Sequence, residues 1–88
     1  MNRTEAMDVV KESLAQVVPG ADLAALSPDD AFRDALELDS LDFLSFIETL
    51  SRRTGVRIDD EDTPRLTTLS GCAAFLTSRT ERDGWRLT

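Results

Sequence analysis

Eighty-eight residues, 41% hydrophobic and 31% charged, are the scale of one soluble globular domain, with a modest core and too little chain for a deep catalytic cleft. Histidine and tyrosine are absent and cysteine occurs once, at Cys72. That removes the commonest general base, any internal disulfide and a cysteine-based zinc cluster.

No apolar run is long enough to span a bilayer, and the N-terminus lacks a signal-peptide pattern. The expectation is a reduced, cytoplasmic setting, and a monomer that is not an enzyme. The net charge of −7 is unevenly placed. Asp22, Asp29, Asp30, Asp34, Glu37, Asp39, Asp42 and Glu48 stand in one segment with only Arg33 against them, and the rest of the chain balances to zero. Such a field repels nucleic acid and attracts basic protein surfaces.

In chain order, Asn2 or Thr4 can cap a first helix running to about Val18. Met7, Val10, Leu14 and Val17 recur on one face, and Pro19-Gly20 stops it. The connection over residues 19–38 is long for so small a domain. Ser27-Pro28-Asp29-Asp30 suggests an N-cap followed by proline at the first helical position, with Phe32 and Leu36 as anchors into the core.

Asp39 then caps the second long helix, with Asp42 at its third position in a capping-box arrangement. Phe43, Phe46, Ile47 and Leu50 share one face and should enter the core, whereas Leu41, Leu44 and Glu48 fall on the other. Arg52, Arg53 and Gly55 suit its C-terminal end. Val56 and Ile58 return to the core, and Asp59-Asp60-Glu61-Asp62 opens a short third helix or turn limited by Pro64. That acidic run reads as a solvated helix start, since it lacks the alternating ligands and central glycine of an EF-hand; weak divalent binding stays open there, and no metal site is assigned. Thr67 or Thr68 caps the last helix, whose inner stripe is Leu69, Cys72, Ala73 and Leu76 with Phe75 beside it. Cys72 there is a small core residue. From Thr77 the chain turns polar, giving a domain over 1–80 and a polar tail over 81–88 that includes Trp85. The fold class is all-α, a small bundle of three main helices plus one short helix.

Ser40 is the residue of greatest interest. Its hydroxyl stands at a helix head, where unpaired N–H groups and the positive end of the dipole favour a phosphate ester. Asp39 can cap alone, which leaves that hydroxyl free. Asp39 and Asp42 read as capping and partner contacts rather than as a catalytic pair, and no catalytic residue is assigned.

Asp39-Ser40-Leu41, within Leu38-Asp39-Ser40-Leu41-Asp42-Phe43, resembles the phosphopantetheine-attachment motif of acyl carrier proteins. The likeness extends over roughly residues 4–80 through length, acidity, the long first loop ending in Phe32 and Leu36, and Val56-Arg57-Ile58-Asp59-Asp60-Glu61-Asp62 before a Leu66-Thr67-Thr68-Leu69 helix start. The fold it implies is the acyl-carrier-like helical bundle. It further implies that a phosphopantetheinyl transferase esterifies Ser40 with the 4′-phosphopantetheine of coenzyme A, between Asp39 and Leu41. The terminal thiol then holds acyl groups as thioesters for acyl-activating, acyltransferase or ketosynthase enzymes with basic docking patches. Asp39, Leu41, Asp42, Leu44 and Glu48 are the expected docking residues. Phe43 and Ile47 are the expected lining for an acyl chain folded back into the bundle.

Two departures stand out. Glu37 occupies the position, three before the serine, where the family usually has glycine. Ser45, Ser51 and Arg52 stand where carboxylates are expected along the second helix. A less negative partner face argues for dedicated partners in lipid, polyketide or specialised acyl transfer, which equal turnover by general fatty-acid-synthase enzymes would refute. The alternatives are a stand-alone aminoacyl or peptidyl carrier and an unmodified acidic interaction module. The Gly-Gly pair usual before a peptidyl carrier's serine motif is absent, and the intact Asp39-Ser40-Leu41 opposes the unmodified module. With no linker-like N-terminal extension, a free-standing protein is expected.

Overall fold

A computed structural model describes residues 1–82. They form α1 (Arg3–Val17), a 3-10 turn (Leu23–Ala25), a short α2 (Phe32–Ala35), α3 (Ser40–Thr54), a 3-10 segment (Asp60–Arg65) and α4 (Leu69–Arg82). Among the described residues the only β-type pairing is an isolated bridge between Ala31 and Thr68. The all-α expectation holds.

Local chemistry sets the helix ends. The Asn2 side chain accepts from the Glu5 N–H at 2.8 Å while the Asn2 N–H donates to the Glu5 carboxylate at 3.0 Å, a complete capping box. At α3 the Asp39 carboxylate accepts from the Asp42 N–H at 2.8 Å, but Asp42 does not reciprocate, so the box expected there is a single cap. Half of an acidic box forms instead between Asp59 and Asp62: the Asp59 N–H donates to the Asp62 carboxylate at 3.0 Å, while the Asp62 N–H donates to the Asp59 main-chain carbonyl at 2.9 Å. Gly55 closes α3 in the left-handed region with φ of 72°. Thr68 caps α4 by accepting from the Gly71 N–H at 2.9 Å.

α1 packs against both α3 and α4. Ala6, Val10 and Leu14 meet Phe46, Ile47 and Leu50 of α3 and Leu69, Cys72, Ala73, Phe75 and Leu76 of α4, all buried. Met7 and Val17, expected inside, are half-buried at the edge. Ser13 and Thr54 are buried without orphaning a hydroxyl, because they donate to the carbonyls of Val9 (2.7 Å) and Leu50 (2.8 Å).

The long connection departs from the sequence reading. Ser27–Asp30 is a turn, with the Asp30 N–H donating to the Ser27 carbonyl (3.0 Å) and the Asp30 carboxylate accepting from the Ser27 N–H (2.9 Å). The helix starts only at Phe32. The Phe32 N–H donates to the Thr67 carbonyl (3.2 Å) and the Ser70 N–H to the Pro28 carbonyl (2.9 Å), which sews the connection to the start of α4. This fixes Phe32 in the core. Leu36, at the end of the one-turn helix, is half-buried, and Leu38 takes the second anchoring place.

The acidic run also departs from it. Asp62 is buried, and its carboxylate accepts from the Asp59 N–H (3.0 Å) and from Arg79 Nη2 (3.1 Å). Pro64 lies inside the 3-10 segment rather than ending it; the closing bond is made by the Leu66 N–H to the Thr63 carbonyl at 2.9 Å. Arg79 also lies 4.8 Å above the Phe75 ring. This tie accompanies helix that continues beyond Thr77 to Arg82, with Thr80 buried. Of the expected tail, residues 83–88 and with them Trp85 lie outside the described residues.

Candidate functional site

Ser40 is the first residue of α3 and is exposed. With Asp39 doing the capping, its hydroxyl turns to another partner: Arg33 Nη2 donates to Ser40 Oγ at 3.3 Å. Arg33 Nε points at the Leu38 carbonyl at a long 3.5 Å, and the guanidinium lies 5.2 Å from the centre of the Phe43 ring. The fold therefore bends the one cation of the acidic segment back onto the serine. In the sequence Arg33 counts only as a lone charge among carboxylates. The available signal was a lone arginine seven residues before the serine, on the turn that leads into it.

Glu37, in the place of the family's glycine, has a left-handed backbone with φ of 54°. The chain reverses tightly here: the Glu37 N–H donates to the Asp34 carbonyl (3.2 Å) and the Leu38 N–H to the Arg33 carbonyl (2.9 Å). A side chain in this region costs about 1–2 kcal/mol, whereas the entropy glycine loses on folding costs about 0.5–1 kcal/mol. Glu37→Gly is therefore expected to stabilise the domain by about 0.5 kcal/mol in chemical denaturation. A lower midpoint would show that the glutamate side chain makes a compensating contact.

Leu41 and Leu44 are the exposed large hydrophobics among the described residues, at 74% and 50%. Asp39 is exposed beside Ser40, and Glu48 is exposed further along α3. Asp42 is half-buried and, with Glu48, Ser45 and Arg52, borders a polar groove of about 360 Å³ against Gln16 and Val17 of α1. A second groove of about 410 Å³ is lined by Ile47, Glu48, Ser51, Arg52 and Ile58. Of the two residues expected to line an acyl chain, Ile47 is on this groove. Phe43 is not; it stands between Arg33 and Phe46. Ser51, one of the residues in place of a carboxylate, donates its hydroxyl to the Val56 carbonyl at 2.7 Å. A carboxylate at that position could not make this bond.

Cys72 is fully buried, and burial pushes its thiol up to about 12. It is protonated and inert at neutral pH. The chain thus keeps its own sulfur out of reach.

The head of α3 thus gathers an exposed hydroxyl, a cation in contact with it, exposed leucines and carboxylates, while the one thiol is sequestered in the core. The residues at the head of α3 fit a phosphate-linked group, since Oγ is accessible and a guanidinium is already in contact with it. The family described as Phosphopantetheine attachment site matches residues 8–76. The acyl carrier protein of Rubrobacter xylanophilus is 35% identical over 76 residues, covering 86% of this chain and 93% of that protein. The acyl carrier protein of Thermosynechococcus vestitus is 30% identical over 79 residues, covering 90% and 96%. No solved structure matches.

The chain belongs to the acyl carrier protein family. It is a non-catalytic carrier whose prosthetic group is covalently attached 4′-phosphopantetheine, and it interacts with a phosphopantetheinyl transferase and with acyl-handling enzymes. No helix of the described residues is long and apolar enough to cross a membrane.

Proposed function

We propose that Ser40 is the attachment point and that the chain serves a lipid, polyketide or other specialised acyl-transfer pathway with dedicated enzymes. The observation that carries the attachment point is the exposed Ser40 hydroxyl, released from capping by Asp39; the reading of dedicated enzymes rests on Ser45, Ser51 and Arg52 standing in place of carboxylates. In loading, Ser40 Oγ gives up its proton and bonds to phosphorus while the pyrophosphate bond of coenzyme A breaks and the nucleotide half leaves. The attached arm supplies a terminal thiol that holds an acyl group as a thioester.

The chain's own residues do the rest. Asp39 fixes the start of α3, and so the position of Ser40. Leu41 and Leu44 offer apolar contact beside Asp39, Asp42 and Glu48, which steer basic enzymes by charge. Weak, fast-exchanging docking suffices, because tethering keeps the cargo at high effective concentration. Ile47 and Ile58 give the second groove an apolar lining suited to a short acyl chain, with Phe43 at the root of the arm.

The test is incubation with coenzyme A and a broad-specificity phosphopantetheinyl transferase, read by intact mass and peptide mapping. A modified Ser40 supports the reading; a modified residue elsewhere overturns it. A thiol reagent then gives an independent check, since buried Cys72 leaves the apo-protein unreactive and the arm makes the loaded form reactive. Loading assays with acyl-activating and amino-acid-activating enzymes separate an acyl from an aminoacyl cargo.

Leu41→Ala is expected to lower the kcat/KM of loading by roughly 10- to 30-fold, the loss of an interface anchor worth about 2 kcal/mol. Its thermal midpoint should not move, since the side chain is 74% exposed. Unchanged kinetics would remove Leu41 from the docking surface.

A further inference from the structure

We propose that Arg33 binds the prosthetic arm: its guanidinium grips the phosphodiester that joins the arm to Ser40 and pins the arm's root against the turn between α2 and α3. The inference rests on Ser40 being the attachment point. Three observations carry it. Arg33 Nη2 is 3.3 Å from Ser40 Oγ, so it is within reach of an oxygen on a phosphorus bonded to that atom. The guanidinium is already positioned by the Phe43 ring at 5.2 Å and by the Leu38 carbonyl. Among the described residues it forms no ion pair, although it is the one cation between Asp22 and Glu48.

The electrostatics give that cation a task. A phosphodiester is an anion at neutral pH, and on Ser40 it would sit between Asp39 and Asp42 in a segment rich in carboxylates. Like charges so placed repel one another and drive the arm outward. The head of α3 offers a favourable dipole, but the Asp42 N–H is already taken by the Asp39 cap. A guanidinium in contact supplies what the helix end lacks. Its planar fork makes charge-assisted bonds to two phosphate oxygens, which a lysine's point charge does not reproduce. Arg33 already lies against the Phe43 ring and Ser40 Oγ, so part of its side-chain freedom is spent before it grips. The arm therefore leaves the protein from a fixed root beside Phe43.

The test uses loaded protein, with loading confirmed by intact mass, as wild type, Arg33→Gln, Arg33→Lys and the control Arg53→Gln. Arg53 pairs with Glu12 and makes no contact with Ser40. The readouts are the phosphorus-31 resonance of the arm and the Nε–Hε resonance of Arg33. We expect the Arg33 Nε–Hε signal to shift between unloaded and loaded wild type. The phosphorus resonance should move in Arg33→Gln and lose its salt dependence, lie between the two in Arg33→Lys, and match wild type in Arg53→Gln. Identical phosphorus resonances in wild type and Arg33→Gln at low salt would overturn the proposal while leaving attachment at Ser40 intact. Wild type that gains no mass at Ser40 would overturn the attachment reading and this one together.

Discussion

Ser40→Ala is expected to abolish covalent loading completely while leaving the bundle folded. The substitution removes an exposed hydroxyl and opens no cavity. Alanine is the better helix former, and the Asp39 carboxylate still accepts from the Asp42 N–H, so α3 keeps its start. The one bond lost is the exposed contact with Arg33. Stability should change by no more than about 0.5 kcal/mol. Loading falls to zero because no neighbouring hydroxyl can substitute. Ser51 is engaged with the Val56 carbonyl, and Ser45 lies beyond the first turn with neither a capping aspartate before it nor Arg33 beside it. Ser45→Ala should accordingly load as wild type. Intact mass with coenzyme A and the transferase decides the matter: an arm on Ser40→Ala would place the attachment elsewhere.

Phe46→Ala is expected to be the most damaging single change to the fold, costing about 3–5 kcal/mol. Phe46 is fully buried and meets Phe32 edge-on at 5.2 Å, with Phe43 at 6.3 Å. Truncation removes the transfer free energy of a phenyl ring and leaves a void that the rigid helices around it fill only in part. A domain this small has a total stability on the order of 5–15 kcal/mol, so the variant would sit close to unfolding. Its thermal midpoint should fall by roughly 15–30 °C. The loss should also reach the site, because Phe32, the partner ring, anchors the connection that delivers Arg33 and Ser40. Faster amide exchange over residues 30–38 than over α4 would report this. A midpoint within a few degrees of wild type would show that the ring cluster is not the centre of the core.

Much of this was written locally. The cap at Asn2, the cap at Asp39, the left-handed Gly55 and the Thr68 cap each depend on residues within one turn. So do the buried stripes Val10–Leu14, Phe46–Ile47–Leu50 and Leu69–Cys72–Ala73–Leu76, because a helix repeats every 3.6 residues whatever surrounds it. The exposed pair Leu41 and Leu44 followed from the same wheel. Where residues close in sequence competed for one role, local reasoning had no way to choose. Leu36 and Leu38 are equally apolar, and only the bonds from Phe32 to Thr67 and from Ser70 to Pro28 set which of them reaches the interior. Asp62 looks like its acidic neighbours until Arg79, seventeen residues on, is brought to 3.1 Å from it.

By itself, the amino-acid order determined three long helices, their buried faces, and a serine left free at the head of the second. Those properties arise from hydrogen bonds and side-chain spacing within a turn or two of chain. Only the tertiary structure decided that Glu37 takes a left-handed bend, that Ile47 rather than Phe43 borders the groove, and that Arg33 lies against the serine. These depend on how a long connection is stitched across the bundle, and periodicity carries no record of contacts made at such distance.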